Sequence, residues 1–274
     1  QNFKNLEGIA KAKSEIINNI SEHGSLILNK NNKFFNFLSN TAVKKKINIV
    51  SFSSKKKADI FLKEIKKTKK YYQLKINVKN KIFYFYTKYS TDSFIDNLLA
   101  CISTMYVLNL DLKKIKKSFI AFKIPDGRGD IKVIKKFNKK FELIDESYNA
   151  NPLSMKTAIT NLSLHSRKKN QRKLVFLGDM LELGNQSKRF HKKLSIIINK
   201  SNIDKVYVLG KHIKETFNGL TLNKKGKIFK NLREAHGHFD KIIHNNDLLM
   251  VKGSNATGLN RFSINIKKGQ NSAL

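Results

Sequence analysis

An α/β fold in two parts, a mixed sheet followed by a parallel one, is what this sequence predicts, and three observations predict it. After residue 140, short apolar runs alternate with helix-length amphipathic segments. Before it, two β-rich runs at 72–78 and 82–87 flank a short polar connection. Between the halves stands Pro125-Asp-Gly-Arg-Gly-Asp130, where a proline and two glycines end one helix and open a turn. A division into residues 1–124 and 125–274 follows.

Taken in order, Phe3, Leu6, Ile9, Ala10, Lys13 and Ile16 already keep helical spacing. With Gln1 rather than Met in first place, the chain is expected to be a fragment entered in mid-domain. Runs 25–29 and 47–52 read as buried strands, each followed by a helix-compatible segment. The 72–78 and 82–87 pair reads as a hairpin through Lys79 to Lys81, which makes the first sheet mixed. Residues 96–109 form an apolar helix in which Cys101 is expected to be a buried thiol. Asp111 can cap a further helix with Leu112, Ile115, Phe119 and Ile120 on one face. Strands then follow at 141–145, 173–177, 205–209 and 248–252, with helices at 152–165, 187–199 and 232–243. That alternation implies a parallel sheet with helices on both faces, and ligands in such sheets gather beyond the carboxyl ends of the strands.

Composition narrows the function. Hydrophobic residues make up 40% of 274 and are spread along the chain, enough for a packed core. One cysteine excludes a disulfide framework, no apolar run approaches the roughly 18 residues of a membrane span, and no signal peptide opens the chain. A cytoplasmic setting, with no membrane span and a monomeric chain, is expected. The net charge of +35 points on its face to nucleic acid. However, the excess is almost all lysine dispersed through every segment, and the six arginines are unclustered. A compositional bias explains this better than a specific nucleic-acid partner, and a basic nucleic-acid-binding module is the alternative from another class.

Four polar loops follow the strands of the second half: Asp145-Glu-Ser-Tyr-Asn-Ala-Asn-Pro152, Gly178-Asp-Met-Leu-Glu-Leu-Gly184, Gly210-Lys211 and Lys252-Gly-Ser-Asn-Ala-Thr257. All would line one edge of the sheet. They carry acids suited to a ribose hydroxyl or an ammonium, amides suited to a peptide, and Lys252 with Ser254 at a helix start suited to a carboxylate. Singly, each also fits ordinary capping: Asn149 or Asn151 before Pro152 is a good N-cap, and Gly178-Asp179 a plain turn. No Gly-x-x-x-x-Gly-Lys-Ser/Thr cradle for a triphosphate occurs.

The Asp145 to Met155 loop, Leu177 to Gly184 followed by His191, and Val251-Lys-Gly-Ser254 resemble the C-terminal-domain signatures of the Mur ligases, in particular those that add D-alanyl-D-alanine. Residues 1–16 resemble the segment after that family's central-domain Ala-His-Leu-Glu motif, and Pro125 to Arg128 its interdomain Pro-Gly-Arg. The resemblance runs from residue 1 to about 260. It implies the later part of a central, P-loop ATPase-like domain over 1–124, without its P-loop, and a Rossmann-like C-terminal domain over 125–274. It also implies the chemistry. ATP phosphorylates the terminal carboxylate of a UDP-MurNAc-tripeptide, and the amine of D-alanyl-D-alanine attacks the acyl phosphate, in peptidoglycan precursor synthesis.

Residue by residue, the resemblance makes Lys13 the lysine carried as a carbamate, an anionic oxygen donor of the kind Mg²⁺ requires. Arg128 matches the linker arginine that reaches ATP, and a guanidinium grips phosphate with two bonds. Asp145 or Glu146 matches the acid on the ribose, Glu146 aligning better with sister ligases. Asn149, Asn151, Lys252 and Ser254 would face the incoming dipeptide. Asp179 and His191 match motif positions, Asp179 on the substrate side and His191 without an assigned role. Two departures touch the nucleotide. Ser90 to Asn97 lacks the family's His-Asn and keeps only Asn97 for adenine, and Asn29-Lys-Asn-Asn32 has lost the acids of an Asn-x-Asp-Asp. Without a phosphate cradle, the chain alone is expected not to turn over ATP. A sister ligase of the folylpolyglutamate or cyanophycin type is the alternative within the enzyme class.

Overall fold

Apolar and β-branched runs build two separate sheets in the computed structural model, which describes residues 5–268. The chain divides at 123/124 into two units.

In the first unit the strands are β1 (Ser25–Asn29), β2 (Asn48–Ser53), β3 (Ile60–Lys67), β4 (Tyr72–Val78) and β5 (Lys81–Thr87), in the order β1-β2-β3-β4-β5. β1, β2 and β3 run parallel, and β3, β4 and β5 antiparallel, so the sheet is mixed as expected. Lys79 and Asn80, both at positive φ, make the β4–β5 turn. Helix α1 (Leu6–Ser14) is capped by Asn5, whose Oδ1 accepts from Gly8 N at 2.8 Å. Helices α2 (Phe35–Val43) and α3 (Asp92–Val107) follow β1 and β5. The main core packs Ile95, Leu98, Leu99 and Ile102 of α3 onto Val50, Phe52, Ile60 and Leu74.

Three expectations fail in this unit. Cys101 is exposed, not buried, because the inward positions of α3 are 95, 98, 99 and 102 and residue 101 falls outside that stripe. No α-helix follows Asp111. Its carboxylate does accept from Lys113 N, but the segment runs through turns to a short 3₁₀ stretch at Ser118–Ile120. Four lysines in five positions disfavour a helix, and the Lys116 carbonyl is taken by Tyr86 N at the open edge of β5. The segment after 47–52, expected to be helix-compatible, is instead the strand β3, which escapes a reading by pattern because Lys63, Glu64, Lys66 and Lys67 leave most of it exposed and polar.

The second unit holds β6 (Asp130–Lys136), β7 (Lys139–Glu146), β8 (Lys173–Gly178), β9 (Lys205–Leu209), β10 (Lys225–Phe229) and β11 (Leu248–Lys252). Their order is β10-β9-β8-β11-β7-β6, all parallel except β6, an antiparallel edge strand. Helices α4 (Pro152–Leu164), α5 (Ser187–Asn199) and α6 (Lys214–Asn218) cover one face. The core there joins Met155, Ile159 and Leu194 to Val175, Val206 and Met250. On the other face α7 (Leu232–Ile242) and α8 (Leu259–Lys267) pack Phe239 and Phe262 on Phe176, Tyr207 and Val251. Alternate residues of each strand thus feed two cores, as a sheet covered on both faces requires. β6, β10, α6 and α8 are additions to the predicted order.

Candidate active site at the carboxyl edge of the second sheet

Helix direction decides where clefts open along this edge. From β7 and β8 the chain passes to the face of α4 and α5, and from β11 to the opposite face, so the loops after β7, β8 and β11 part around a crevice. It holds an open groove of about 1100 Å³ lined by Asn149, Asn151, Leu181, Glu182, Ser254 and Arg261, among others. A second divergence lies between β9 and β10, with a neighbouring groove of about 750 Å³ rimmed by Lys211, Lys214, Lys230 and Arg233. The two grooves share Leu181, Leu232, Ala256 and Thr257.

The turn at 125–129 is stapled to the loop after β7. Gly129 N donates to Asp145 O at 2.7 Å and Tyr148 N to Gly127 O at 3.1 Å. Gly127 has φ 78°, and a Cβ there would meet Tyr148 N at 2.9 Å, so the close approach needs glycine. The Arg128 guanidinium lies over the Tyr148 ring, 4.2 Å from its centroid. Arg128 is exposed and in no ion pair among the described residues, leaving its donors for an anion.

Asp145 is buried and fully engaged. One oxygen takes the Ser147 amide and hydroxyl, and the other pairs with Lys267 of α8. Lys267 also binds Asp126 at 2.9 Å and holds that carboxyl below its ordinary range. Asp145 therefore orders the turn and loop and has no oxygen free for a ribose. Glu146 does: it is half-exposed, with one oxygen on Lys252 Nζ at 3.2 Å. Lys252 itself, 2% exposed, is spent on Glu146 and on Asn149 O at 3.1 Å, so it shapes the groove instead of meeting a carboxylate.

Asn149 and Asn151 are exposed on the groove, each partly occupied. Asn149 Oδ1 accepts from Ala150 N at 2.7 Å, and Asn151 caps α4 in a reciprocal pair with Ser154. Ser254 is buried, bonding Leu181 N at 3.0 Å and Ala150 O at 3.3 Å, and so ties the three loops together.

The substrate-side expectation for Asp179 is corrected. Its oxygens accept from Lys211 N at 3.0 Å and Ile213 N at 2.7 Å, which leaves it no ligand to hold. Gly210, at φ 142°, lies so close to that carboxylate that a Cβ would collide with it. His191 is fully buried, not a surface residue: Nε2 accepts from Met180 N at 3.0 Å and Nδ1 donates to Ser187 O at 2.8 Å. Burial pushes its pKa down, so it is the neutral ring that anchors the 178–180 loop.

In the first unit Asn97 and Lys13 are both exposed. The departures noted around them form a cluster: Asp96 accepts from Ser54 Oγ at 2.6 Å and Asn29 Nδ2 at 3.3 Å, and Ser53 Oγ donates to Asn31 at 2.7 Å. Among the described residues no group of three or more His, Cys, Asp or Glu side chains could hold a metal ion. Lys13 alone does not make a magnesium site, and the residues present do not fit one by themselves. Reading from sequence quoted Tyr148 only as a member of its loop and missed Lys267 altogether; the stack under Arg128 and the pairing with Asp126 and Asp145 are tertiary contacts that local spacing does not signal.

Comparison with known proteins follows this geometry. Residues 1–105 match the Mur ligase middle domain and residues 129–255 the Mur ligase, glutamate ligase domain. A UDP-N-acetylmuramoyl-tripeptide--D-alanyl-D-alanine ligase of Rickettsia prowazekii is 30% identical over 263 residues, covering 94% of this chain and 56% of its own length. Its namesake from Buchnera aphidicola subsp. Baizongia pistaciae is 31% identical over 259 residues, covering 94% and 54%. The chain spans about half the length of these curated relatives. Among solved structures, MurF from Acinetobacter baumannii superposes with a TM-score of 0.79 at 22% identity, over 97% of this chain and 56% of that one. The MurF ligase of Thermotoga maritima, in complex with ADP, gives 0.76 at 20% identity, over 98% and 58%. The α/β fold of both units is the fold of those proteins.

Proposed function

This chain belongs to the Mur ligase family, and from that premise we propose that its two domains serve the ATP-dependent joining of D-alanyl-D-alanine to UDP-N-acetylmuramoyl-tripeptide in the cytoplasm, through an acyl phosphate. The observation that carries the reading is the Arg128 guanidinium, in no ion pair among the described residues and stacked on Tyr148, which lines the groove with Asn149 and Asn151. A cation held there suits a nucleotide phosphate, and the ADP bound by the Thermotoga maritima relative supports nucleotide use. The names shared by the relatives support the choice of dipeptide over glutamate.

In this reading the tripeptide carboxylate attacks the γ-phosphorus of ATP, releasing ADP and forming an acyl phosphate. The dipeptide amine then attacks the acyl carbon, phosphate leaves, and the amine loses a proton. Arg128 draws the phosphate charge and Glu146 accepts from the ribose hydroxyls; in the first unit, Asn97 is the residue that the family resemblance gives to the base. The free amide groups of Asn149 and Asn151 bind the dipeptide backbone. Ser254 and Lys252 hold the loops in register, so proximity contributes most of the acceleration of the second step. Lys13, as a carbamate, is the one oxygen donor that the family resemblance gives this chain toward Mg²⁺, whose site its own residues do not complete.

A binding experiment separates the parts. The chain is expected to bind D-alanyl-D-alanine in preference to L-alanyl-L-alanine by calorimetry, and to release no phosphate from ATP, since it contains no glycine-rich cradle. In the full-length gene product, Arg128→Ala is expected to lower amide formation at least about tenfold, the loss of roughly 1.5–3 kcal/mol from one charged hydrogen-bonding group. Equal affinity for the two dipeptides, with an unaffected Arg128→Ala enzyme, would overturn the reading.

A further inference from the structure

The β6–β7 hairpin carries a feature that neither strand pairing nor the groove explains. Its two-residue connection is Phe137-Asn138, at φ 56° and 55°. Both lie in the left-handed region, the pattern of a type I′ turn that Asn-Gly fills most readily. Phenylalanine is sterically disfavoured there, and the residue is 42% exposed. The core holds it only through an edge contact with Phe239, 6.1 Å between centroids. The turn does not require this residue.

Lysines bracket it in the run Lys135-Lys-Phe-Asn-Lys-Lys140, around a concavity of about 500 Å³. Lys136 donates to Asn265 O and Lys139 to Asp240 O, bolting the hairpin to α8 and α7. Lys135 and Lys140 are exposed and in no ion pair among the described residues. Further along β6, Ile131 and Val133 stand exposed on alternate positions of one face. The tip adjoins the start of β7, whose eight residues put it roughly 25 Å from the groove at that strand's carboxyl end.

We propose that this hairpin is a docking edge for an anionic lipid surface, with Phe137 entering the headgroup boundary and the flanking lysines meeting lipid phosphates. An apolar wedge ringed by cations on long aliphatic stems is the chemistry that binds such a surface. A polynucleotide fits less well: the run has no arginine, and the apolar row along β6 gives it nothing to pair with. Docking by the tip leaves the opposite edge of the sheet open.

The chain has no tryptophan, so Phe137→Trp places a single indole at the tip. Its emission is expected to shift to the blue on adding phosphatidylcholine vesicles that contain phosphatidylglycerol, and to stay put with phosphatidylcholine alone. Phe37→Trp, equally exposed on α2, is expected to show no shift. Lys135→Gln with Lys140→Gln should lower vesicle partitioning about fivefold per lysine. Lys66→Gln with Lys67→Gln on β3, which removes the same net charge, should change it less than about twofold. No shift in the Phe137→Trp variant overturns the proposal, as does equal weakening by both lysine pairs. Tighter binding to single-stranded poly(U) than to vesicles, lost only in the hairpin pair, would assign the surface to nucleic acid and overturn it too.

Discussion

His191 shows how a motif histidine can act without touching a ligand. Its two nitrogens are consumed by the Met180 amide and the Ser187 carbonyl, an arrangement open only to the neutral ring with its proton on Nδ1. Because burial holds the folded pKa below the ordinary value of about 6.5, protons favour the unfolded chain. The contribution of this residue is therefore complete above about pH 6.5 and lost as the pH falls from there through the folded value. Melting temperatures measured from pH 8 down to pH 5 should fall less steeply for His191→Leu than for the native chain. At pH 8 the variant should sit about 1–3 kcal/mol lower for the stranded Met180 N–H. Parallel pH curves would contradict this. The same chemistry separates Asp145 from Glu146, adjacent acids of which the sequence resemblance favoured the second: one is saturated by Lys267 and Ser147, the other has an oxygen to spare.

At the scale of elements, α4 carries the clearest local signal. Asn-Pro at 151–152 is a cap followed by a helix-compatible N1 residue, and the structure forms the reciprocal Asn151–Ser154 pair. Asn151→Ala should cost about 1 kcal/mol, seen as a fall in melting temperature of about 2–4 °C, and Asn151→Asp should restore it. A melt unchanged by alanine would mean that the cap contributes nothing. Strands and helices of the second unit were legible wherever a run was continuously apolar, as in β8, β9 and β11, because both faces of those strands are buried. β3, β6 and β10 were not legible: each has a solvent-facing row or edge where lysine replaces the apolar residue that pattern reading needs. The failed helix after Asp111 has the complementary cause, a partner outside itself. The open edge of β5 supplies a backbone bond that local spacing cannot foretell.

Over the whole molecule the charge of +35 acts as self-repulsion. Raising sodium chloride from low ionic strength towards 0.1 M, where the Debye length is about 10 Å, should therefore raise the melting temperature at neutral pH. A flat or falling curve would show that the lysines are already neutralised locally. What the sequence determined by itself was the class of fold, the alternation of strand and helix after residue 140, and the four loops that share one sheet edge. Each depends on local periodicity or on turn chemistry carried by neighbouring residues. Tertiary structure alone decided which side chains on that edge are free. Lys252, Asp145 and Asp179 are consumed by partners 30 to 120 positions away in the chain, roughly. Arg128 stays available because its partner is the face of Tyr148 and not an acid. A buried charge must be paired wherever the fold brings a partner to it, and no spacing along the chain records which one that will be.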